Sequence, residues 1–286
     1  DIIRIVSFML NLSLRITHIP RHTAIRRQRT AWLSLTALAA TLALSACGEN
    51  KKVGELGFIT GFVGGVAADE PRAALVGRDI LGRGGSAADA ATAMFFTLTV
   101  TKPSTASLGA VGGCVHFAAN SKEFLAYDFM PRPAQRSASG RPKIAPPAAV
   151  RGMAAMQARY GQMPWAELVG PAEALARFGH AVSRSLATDI EARAGELEKS
   201  PSMVAIFGRP SGGFVKEGDH IQQLELSAAL SSIRQRGAGA IFSGPLAQQY
   251  VDAVAAIGGD LTLETLRAYT PRAIPAIERP AGDHII

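Results

Sequence analysis

The sequence has little cysteine, few aromatic residues and no apolar run long enough to cross a bilayer. Only Cys47 and Cys114 occur in 286 residues, which excludes a framework stapled by several disulfides. Aromatic residues make up 6% of the chain and are not interleaved with clustered Lys or Arg, so no nucleic-acid surface is indicated. The hydrophobic content of 48% is instead typical of a chain that buries a sizeable core.

Positive charge is concentrated at the start of the chain. Residues 1–46 contain six Arg and one Asp, a net +5 out of a total of +7, so the remainder carries only +2. The basic stretch RHTAIRRQRT is followed by the apolar run AWLSLTALAATLAL and by small residues before Cys47. This order is typical of an export signal, and the apolar run is shorter than the roughly 20 residues that span a bilayer.

The residues Leu44-Ser45-Ala46-Cys47 resemble the lipobox of bacterial lipoproteins. We therefore expect residues 1–46 to be a basic leader and lipoprotein signal peptide, with Cys47 lipidated as the first residue of the mature protein. The protein would then be exported and anchored in the membrane through its lipid, on the periplasmic face of the outer membrane. The alternative is an ordinary signal peptide with an incidental Cys, which would leave a soluble periplasmic protein.

After the leader, residues 47–62 are typical of a polar tether, and residues 63–286 are typical of a globular region. A helix is predicted over residues 70–81, and Ser86 has the position of an N-cap with Asp89 in the first turn of the next helix. The stretch GRGGSAADAATA lacks the third Gly of a dinucleotide fingerprint and the Gly-Lys pair of a phosphate-binding loop. It therefore predicts the start of a helix and not a phosphate site.

The rest of the globular region combines a predicted hairpin with several helices. The runs GAVGGCVHFAA and EFLAYDF, separated by NSK, predict two antiparallel strands. A surface connection rich in Pro follows, after which residues 148–193, 224–236 and 244–257 have helical patterns. Strands mixed with helices in this way predict a layered α/β or α+β fold.

Six ordered blocks resemble the gamma-glutamyltransferase family, also called gamma-glutamyltranspeptidase or glutathione hydrolase. The resemblance begins near Gly65, runs to the end of the chain and corresponds to the front two-thirds of the family's large subunit. The blocks are GRGGSAADAATA, LGAVGG, AYDF, ARYGQMPWAELVGPAEALARFGHAVSRSLA, GAGAIFSGPLAQQYVDAV and GGDLTLETLRAY.

This resemblance implies an α+β fold of the N-terminal nucleophile hydrolase type, an αββα sandwich that would be incomplete in this chain. A precursor of the family cleaves itself before a Thr, whose free α-amine then activates its own hydroxyl for attack on gamma-glutamyl amides such as glutathione. The resemblance also implies a small subunit from the same precursor as partner, and neither a metal nor an organic cofactor. We expect the nucleophile beyond residue 286, so that the chain would be a truncated sequence with no catalytic residue of its own.

The stretch after the second predicted strand departs from the family pattern. The family usually has Asp-Phe-Arg-Glu there, and the resemblance implies that this Arg binds the α-carboxylate of the gamma-glutamyl group. Here the residues are Asp128-Phe129-Met130-Pro131-Arg132. Three roles for Arg132 are open: a shifted carboxylate clamp, a surface residue, or a clamp for a different acyl group.

Two other functions stand beside the gamma-glutamyl hydrolase: a related acylase that cleaves a different amide, and a lipoprotein that binds without catalysis. The His residues are scattered and predict no metal site. Trp165 is expected to pack a helix start against the core, and Cys114 to be a small buried residue. Thr262 and Thr265 are expected to cap a helix and make surface contacts.

Overall fold

The computed structural model describes residues 64–130, 144–282 and 284–285. The predicted signal peptide, Cys47, residues 48–62 of the tether and Arg132 all lie outside these residues. The helices are α1 Pro71–Gly82, α2 Ala87–Thr101, α3 Ala149–Tyr160, α4 Trp165–Phe178, α5 Arg184–Leu197, α6 Pro201–Phe207, α7 Leu224–Arg236, α8 Pro245–Ala256 and α9 Leu263–Ala268, with a 3₁₀ turn at Ala238–Ile241. The strands are β1 Gly112–Ala118, β2 Glu123–Phe129, β3 His180–Ala181, β4 His220–Ile221, β5 Arg272–Pro275, β6 Pro280–Ala281 and β7 His284–Ile285.

The first two helices begin where the sequence predicts them. The side chain of Glu70 accepts hydrogen bonds from the N–H groups of the first turn of α1, which satisfies donors that a helix leaves unpaired. Ser86 caps α2, and Asp89 returns the hydrogen bond to the Ser86 backbone, so that the two residues form a capping box. Both predicted starts are confirmed to within a residue.

Helix α2 is the central helix of the core. It contacts α1, α3 and α4 and is buried over most of its circumference. Its small and β-branched residues allow the neighbouring helices to approach closely. The hydroxyls of Thr92 and Thr97 donate to carbonyl groups one turn earlier, so that these polar atoms are satisfied inside the core.

The main sheet has three strands in the order β1-β2-β5. The predicted hairpin is confirmed: β1 and β2 are antiparallel with Cys114 opposite Tyr127. Strand β5, more than a hundred residues later, adds to the free side of β2 and places Arg272 opposite Asp128. The face that carries Tyr127 and Phe129 is buried, with α3 packed against it, whereas Val115 and Phe117 are exposed on the other face.

Aromatic contacts join the helices behind this sheet. The ring of Phe96 on α2 meets the Trp165 ring edge to face at 5.4 Å, and the Trp165 Nε1–H donates to the carbonyl of Ile233 on α7. The expected packing of Trp165 at the start of α4 is confirmed. The carboxylate of Glu173 on α4 accepts from Arg177 and from Arg234 on α7, which ties these two helices together.

A second, smaller core lies among α5, α6 and the strand pair β3 and β4. The sequence predicts the helix α5 but not the short strands, because two-residue strands leave no periodic pattern. Within the parts of the chain that the structure describes, none of the helices is long and apolar enough to cross a membrane.

Candidate active site at the end of strand β2

An ion pair closes the end of the β2 and β5 strand pair. The guanidinium of Arg272 donates to the Asp128 carboxylate across the two strands, and the Met130 N–H donates to the same carboxylate at 2.9 Å. The hydrogen bond from Met130, followed by that from Arg272, lowers the pKa of Asp128, so that this carboxyl is charged at neutral pH.

A cavity of about 580 Å³ opens beside this ion pair. It lies between the end of β2, helix α9 and the start of β5. The described lining residues are Asp128, Met130, Pro146, Glu264, Thr265, Ala268, Tyr269, Thr270 and Arg272. The lining combines a guanidinium, two carboxylates and three hydroxyl groups, and groups of this kind recognise small polar ligands.

Arg151 of α3 holds the wall of the cavity that α9 forms. Its guanidinium donates to the carbonyls of Arg267, at 3.1 Å, and of Tyr269, groups that the end of a short helix leaves unpaired. The same guanidinium lies 3.8 Å from the centre of the Phe242 ring, a cation–π contact. Burial and, secondarily, the charge of Asp128 raise the pKa of Tyr269, so that its hydroxyl stays protonated and can donate.

Strand β2 packs against helix α3 at a glycine. Phe129 is buried against Gly152, where a Cβ atom would overlap the phenyl ring. Glycine therefore allows helix α3 to approach β2 closely enough to fix the position of the Asp128 backbone. Because Phe129 directly follows Asp128 in β2, packing on the buried face also positions the candidate site.

The helix that borders the cavity starts at a threonine cap. Thr262 accepts from the Thr265 N–H at 3.1 Å, so the predicted capping role is confirmed for Thr262, whereas Thr265 supplies the N–H group that is capped. Thr265 also lines the cavity, a position that no local pattern of the sequence indicates.

The residues singled out from the sequence are only partly brought together here. Arg132 and Cys47 lie outside the described residues, and their roles stay predictions. Met130 borders the cavity with an exposed thioether. Arg272 was missed, because an Arg in a four-residue edge strand carries no motif that distinguishes it from a surface residue.

Cys114 lies on the buried side of β1. It is half-buried, its Sγ is 3.6 Å from the Met156 Sδ, and burial raises the pKa of its thiol. This environment suits a packed thiol and disfavours a thiolate nucleophile. Among the described residues, no cluster of three or more His, Cys, Asp or Glu side chains could hold a metal ion.

The chain matches one protein family over most of its length. The family model described as gamma-glutamyltranspeptidase matches residues 73–286. The structure of gamma-glutamyltranspeptidase from Helicobacter pylori superposes with a TM-score of 0.74 at 26% identity, covering 80% of this chain and 70% of that one.

Curated relatives include hydrolases and an acylase. Glutathione hydrolase 3 of Arabidopsis thaliana is 31% identical over 75% of this chain and 35% of its own length. The glutathione hydrolase proenzyme of Escherichia coli is 33% identical over 77% and 40%, and the acylase ACY 1 proenzyme of Pseudomonas sp. is 29% identical over 73% and 41%. The chain thus spans 35 to 41% of the length of these relatives.

Proposed function

The chain belongs to the gamma-glutamyltranspeptidase family, and we propose that it is part of the large subunit of a hydrolase that cleaves gamma-glutamyl amides such as glutathione. The observation that carries the proposal is the family match over residues 73–286. The α+β fold and the polar cavity at the end of β2 support it, because this cavity lies where the family-like segment AYDF ends.

In this proposal the nucleophile is a Thr at the new N-terminus that self-cleavage of the precursor creates. Its hydroxyl attacks the gamma-carbonyl carbon of the substrate, and its own α-amine accepts the hydroxyl proton. The amine product leaves with that proton, and an ester links the acyl group to the Thr. Water then attacks the ester carbonyl, and glutamate leaves as the Thr hydroxyl is restored.

The exposed face of the main sheet supports a small subunit as partner. Val115 and Phe117 of β1, Phe124 of β2 and Ile274 of β5 expose apolar side chains there, and the rings of Phe117 and Phe124 lie 4.6 Å apart. Apolar sheet faces are normally covered, and two sheets pack face to face at about 10 Å. We propose that the second sheet of the sandwich, from the same precursor, covers this face.

We also propose that the protein is exported and anchored through a lipid on Cys47, on the periplasmic side of the outer membrane. The lipobox-like residues before Cys47 support this proposal. Mass spectrometry of the mature N-terminus tests it: an acylated Cys47 is expected. An intact residue 1–46 segment, or a mature N-terminus without lipid, would contradict it.

Expression of the complete gene product tests the catalytic proposal. We expect two chains after self-cleavage and release of glutamate from glutathione. A variant with Ala in place of the Thr at the cleavage junction is the matched control and should give one chain and no glutamate. A single uncleaved chain without hydrolysis in the wild type would favour the lipoprotein that binds without catalysis.

An acylase that cleaves a different amide is the second candidate. Met130 at the position of the family's Arg favours it, as does the similarity to the acylase ACY 1 proenzyme. Such an enzyme should cleave a glutaryl amide at least as fast as the matched gamma-glutamyl amide, whereas a gamma-glutamyl hydrolase should prefer the latter.

A further inference from the structure

The cavity at the end of β2 has one cationic side chain among the described residues that line it. That group is the guanidinium of Arg272. Met130, at the rim, supplies only an uncharged thioether. We infer that Arg272 is the specificity-determining residue that binds the α-carboxylate of the substrate's acyl group, an inference that rests on the proposed function.

Arg272 is positioned for this role before a ligand binds. Sheet hydrogen bonds set Arg272 directly opposite Asp128, and the ion pair with Asp128 orients its guanidinium. The side chain of Arg272 is nevertheless 57% exposed, whereas that of Asp128 is 24% exposed. A guanidinium has five N–H donors in a fixed plane, and in the described part of the chain Asp128 is the only acceptor recorded for Arg272. Donors therefore stay available for a second carboxylate in bidentate geometry.

The other charges of the cavity indicate the chemical class of the ligand. Among the described lining residues, Asp128 and Glu264 contribute two carboxylates and Arg272 one guanidinium, so these residues together carry a net negative charge. A carboxylate that binds Arg272 shares the cavity with these two carboxylates, and like charges disfavour one another. A ligand with an ammonium beside its carboxylate fits both signs, because Glu264 can accept from the ammonium. The matching class is an α-amino acid head group, as in a gamma-glutamyl donor.

Three matched substrates test the inference on the complete gene product. They are gamma-glutamyl-4-nitroanilide, its α-carboxamide, and glutaryl-4-nitroanilide, which lacks the ammonium. Arg272→Gln should lower kcat/KM for the first substrate on the order of 10- to 100-fold, as expected for a lost charge-assisted hydrogen bond. It should leave the α-carboxamide within about twofold, because that substrate has no carboxylate to lose.

Control variants separate recognition from folding. Arg267→Gln removes an exposed Arg of α9 that does not line the cavity, and it should leave all three rates within about twofold. Arg272→Lys should keep part of the rate, because Lys supplies the charge without the planar fork. Glu264→Gln should lower the ratio of kcat/KM for the gamma-glutamyl substrate to kcat/KM for the glutaryl substrate.

Calorimetric binding of L-glutamate separates failure of the inference from failure of the proposed function. We expect Arg272→Gln to raise the Kd for L-glutamate on the order of 10- to 100-fold. The role of Arg272 is overturned if Arg272→Gln lowers kcat/KM equally for the carboxylate and the carboxamide substrates, or if it leaves glutamate binding unchanged. In either case, hydrolysis by the wild type still supports the proposed function. Loss of glutamate binding with no hydrolysis by the wild type keeps Arg272 as a carboxylate-binding residue and removes the function.

Discussion

The carboxylate of Asp89 accepts a 2.7 Å hydrogen bond from the backbone N–H of Gln162, 73 residues further along the chain. The same carboxylate accepts from the N–H and hydroxyl of Ser86, the N–H of Met163 and the side-chain amide of Gln157. Asp89 is fully buried. One charged group thus fixes both the start of α2 and the connection between α3 and α4.

Replacement of Asp89 by Asn should destabilise the chain. The amide group of Asn cannot accept from all of these donors, so buried N–H groups would be left unpaired at a cost of about 3 kcal/mol. The free energy of unfolding, measured by urea denaturation, checks this. Asp79→Asn is the control, because Asp79 is exposed and its carboxylate pairs with the neighbouring Arg78, and it should change stability by less than about 0.5 kcal/mol.

The stability that Asp89 contributes should depend on pH. Burial by itself would raise the pKa of Asp89, but hydrogen bonds from Gln162, Ser86 and Gln157 outweigh it and lower the pKa below its ordinary range. The contribution is therefore complete above the unfolded-state pKa and is lost as the pH falls through the lower folded-state pKa. The difference in unfolding free energy between wild type and Asp89→Asn should shrink as the pH falls below about 4, the ordinary pKa of an Asp carboxyl. A difference that stays constant over this range would assign the loss to packing and not to charge.

Two glycines in helices should respond to alanine with opposite signs. At Gly152 an added Cβ would lie 2.9 Å from the Cβ of Phe129 and overlap its ring, so Gly152→Ala should cost about 1–3 kcal/mol. At Gly195, on α5, nothing lies within 4 Å of an added Cβ, so Gly195→Ala should stabilise the chain by about 0.5–1 kcal/mol. Thermal denaturation of both variants measures the pair, and a stable Gly152→Ala variant would contradict the close approach of α3 to β2.

Local signals in the sequence predicted most of the helices and the hairpin. Ser86 and Asp89 show why: their capping box is formed by residues only three apart, so the pattern and the contact coincide. Strand β5 could not be predicted in the same way. Its four residues are all exposed and are held by pairing with β2, which lies far away in the sequence.

The candidate site was predicted only as far as the chain segment that carries it. Met130, which stands at the position of the family's Arg, follows the end of β2, where the cavity lies. The cation that faces this position comes from Arg272, and the ion pair with Asp128 depends on a register between strands that no local pattern encodes. The hydrogen bonds from Gln157, Gln162 and Met163 to Asp89 were missed because they join segments about 70 residues apart, which no local pattern relates.

Arg151 should support the cavity through the end of α9. Arg151→Met keeps much of the side-chain volume but removes the donors to the carbonyls of Arg267 and Tyr269 and the contact with Phe242. We expect a loss of about 2 kcal/mol in unfolding free energy and faster hydrogen exchange over residues 266–275. Arg151→Lys should lose less unfolding free energy than Arg151→Met, because Lys keeps the charge but lacks the planar set of N–H donors of a guanidinium. Unchanged exchange in that segment would mean that Arg151 does not hold it.

The exposed apolar face of the main sheet should decide whether the two proposed subunits assemble. Val115 and Phe117 are 65% and 48% exposed, and changing both to Thr keeps residues that favour strands while removing the two most exposed of the four apolar side chains named on this face. This chain by itself should become more soluble, because fewer apolar side chains face water. The complete gene product should lose association of its two chains after cleavage, as measured by size-exclusion chromatography, because the second sheet would lose its apolar partner.

Phe178→Ser on α4 is the control for this prediction. It removes an even more exposed aromatic residue, at 73%, that lies outside the sheet, and it should leave association of the two chains intact. Assembly that survives the double Thr variant would mean that a different surface joins the subunits.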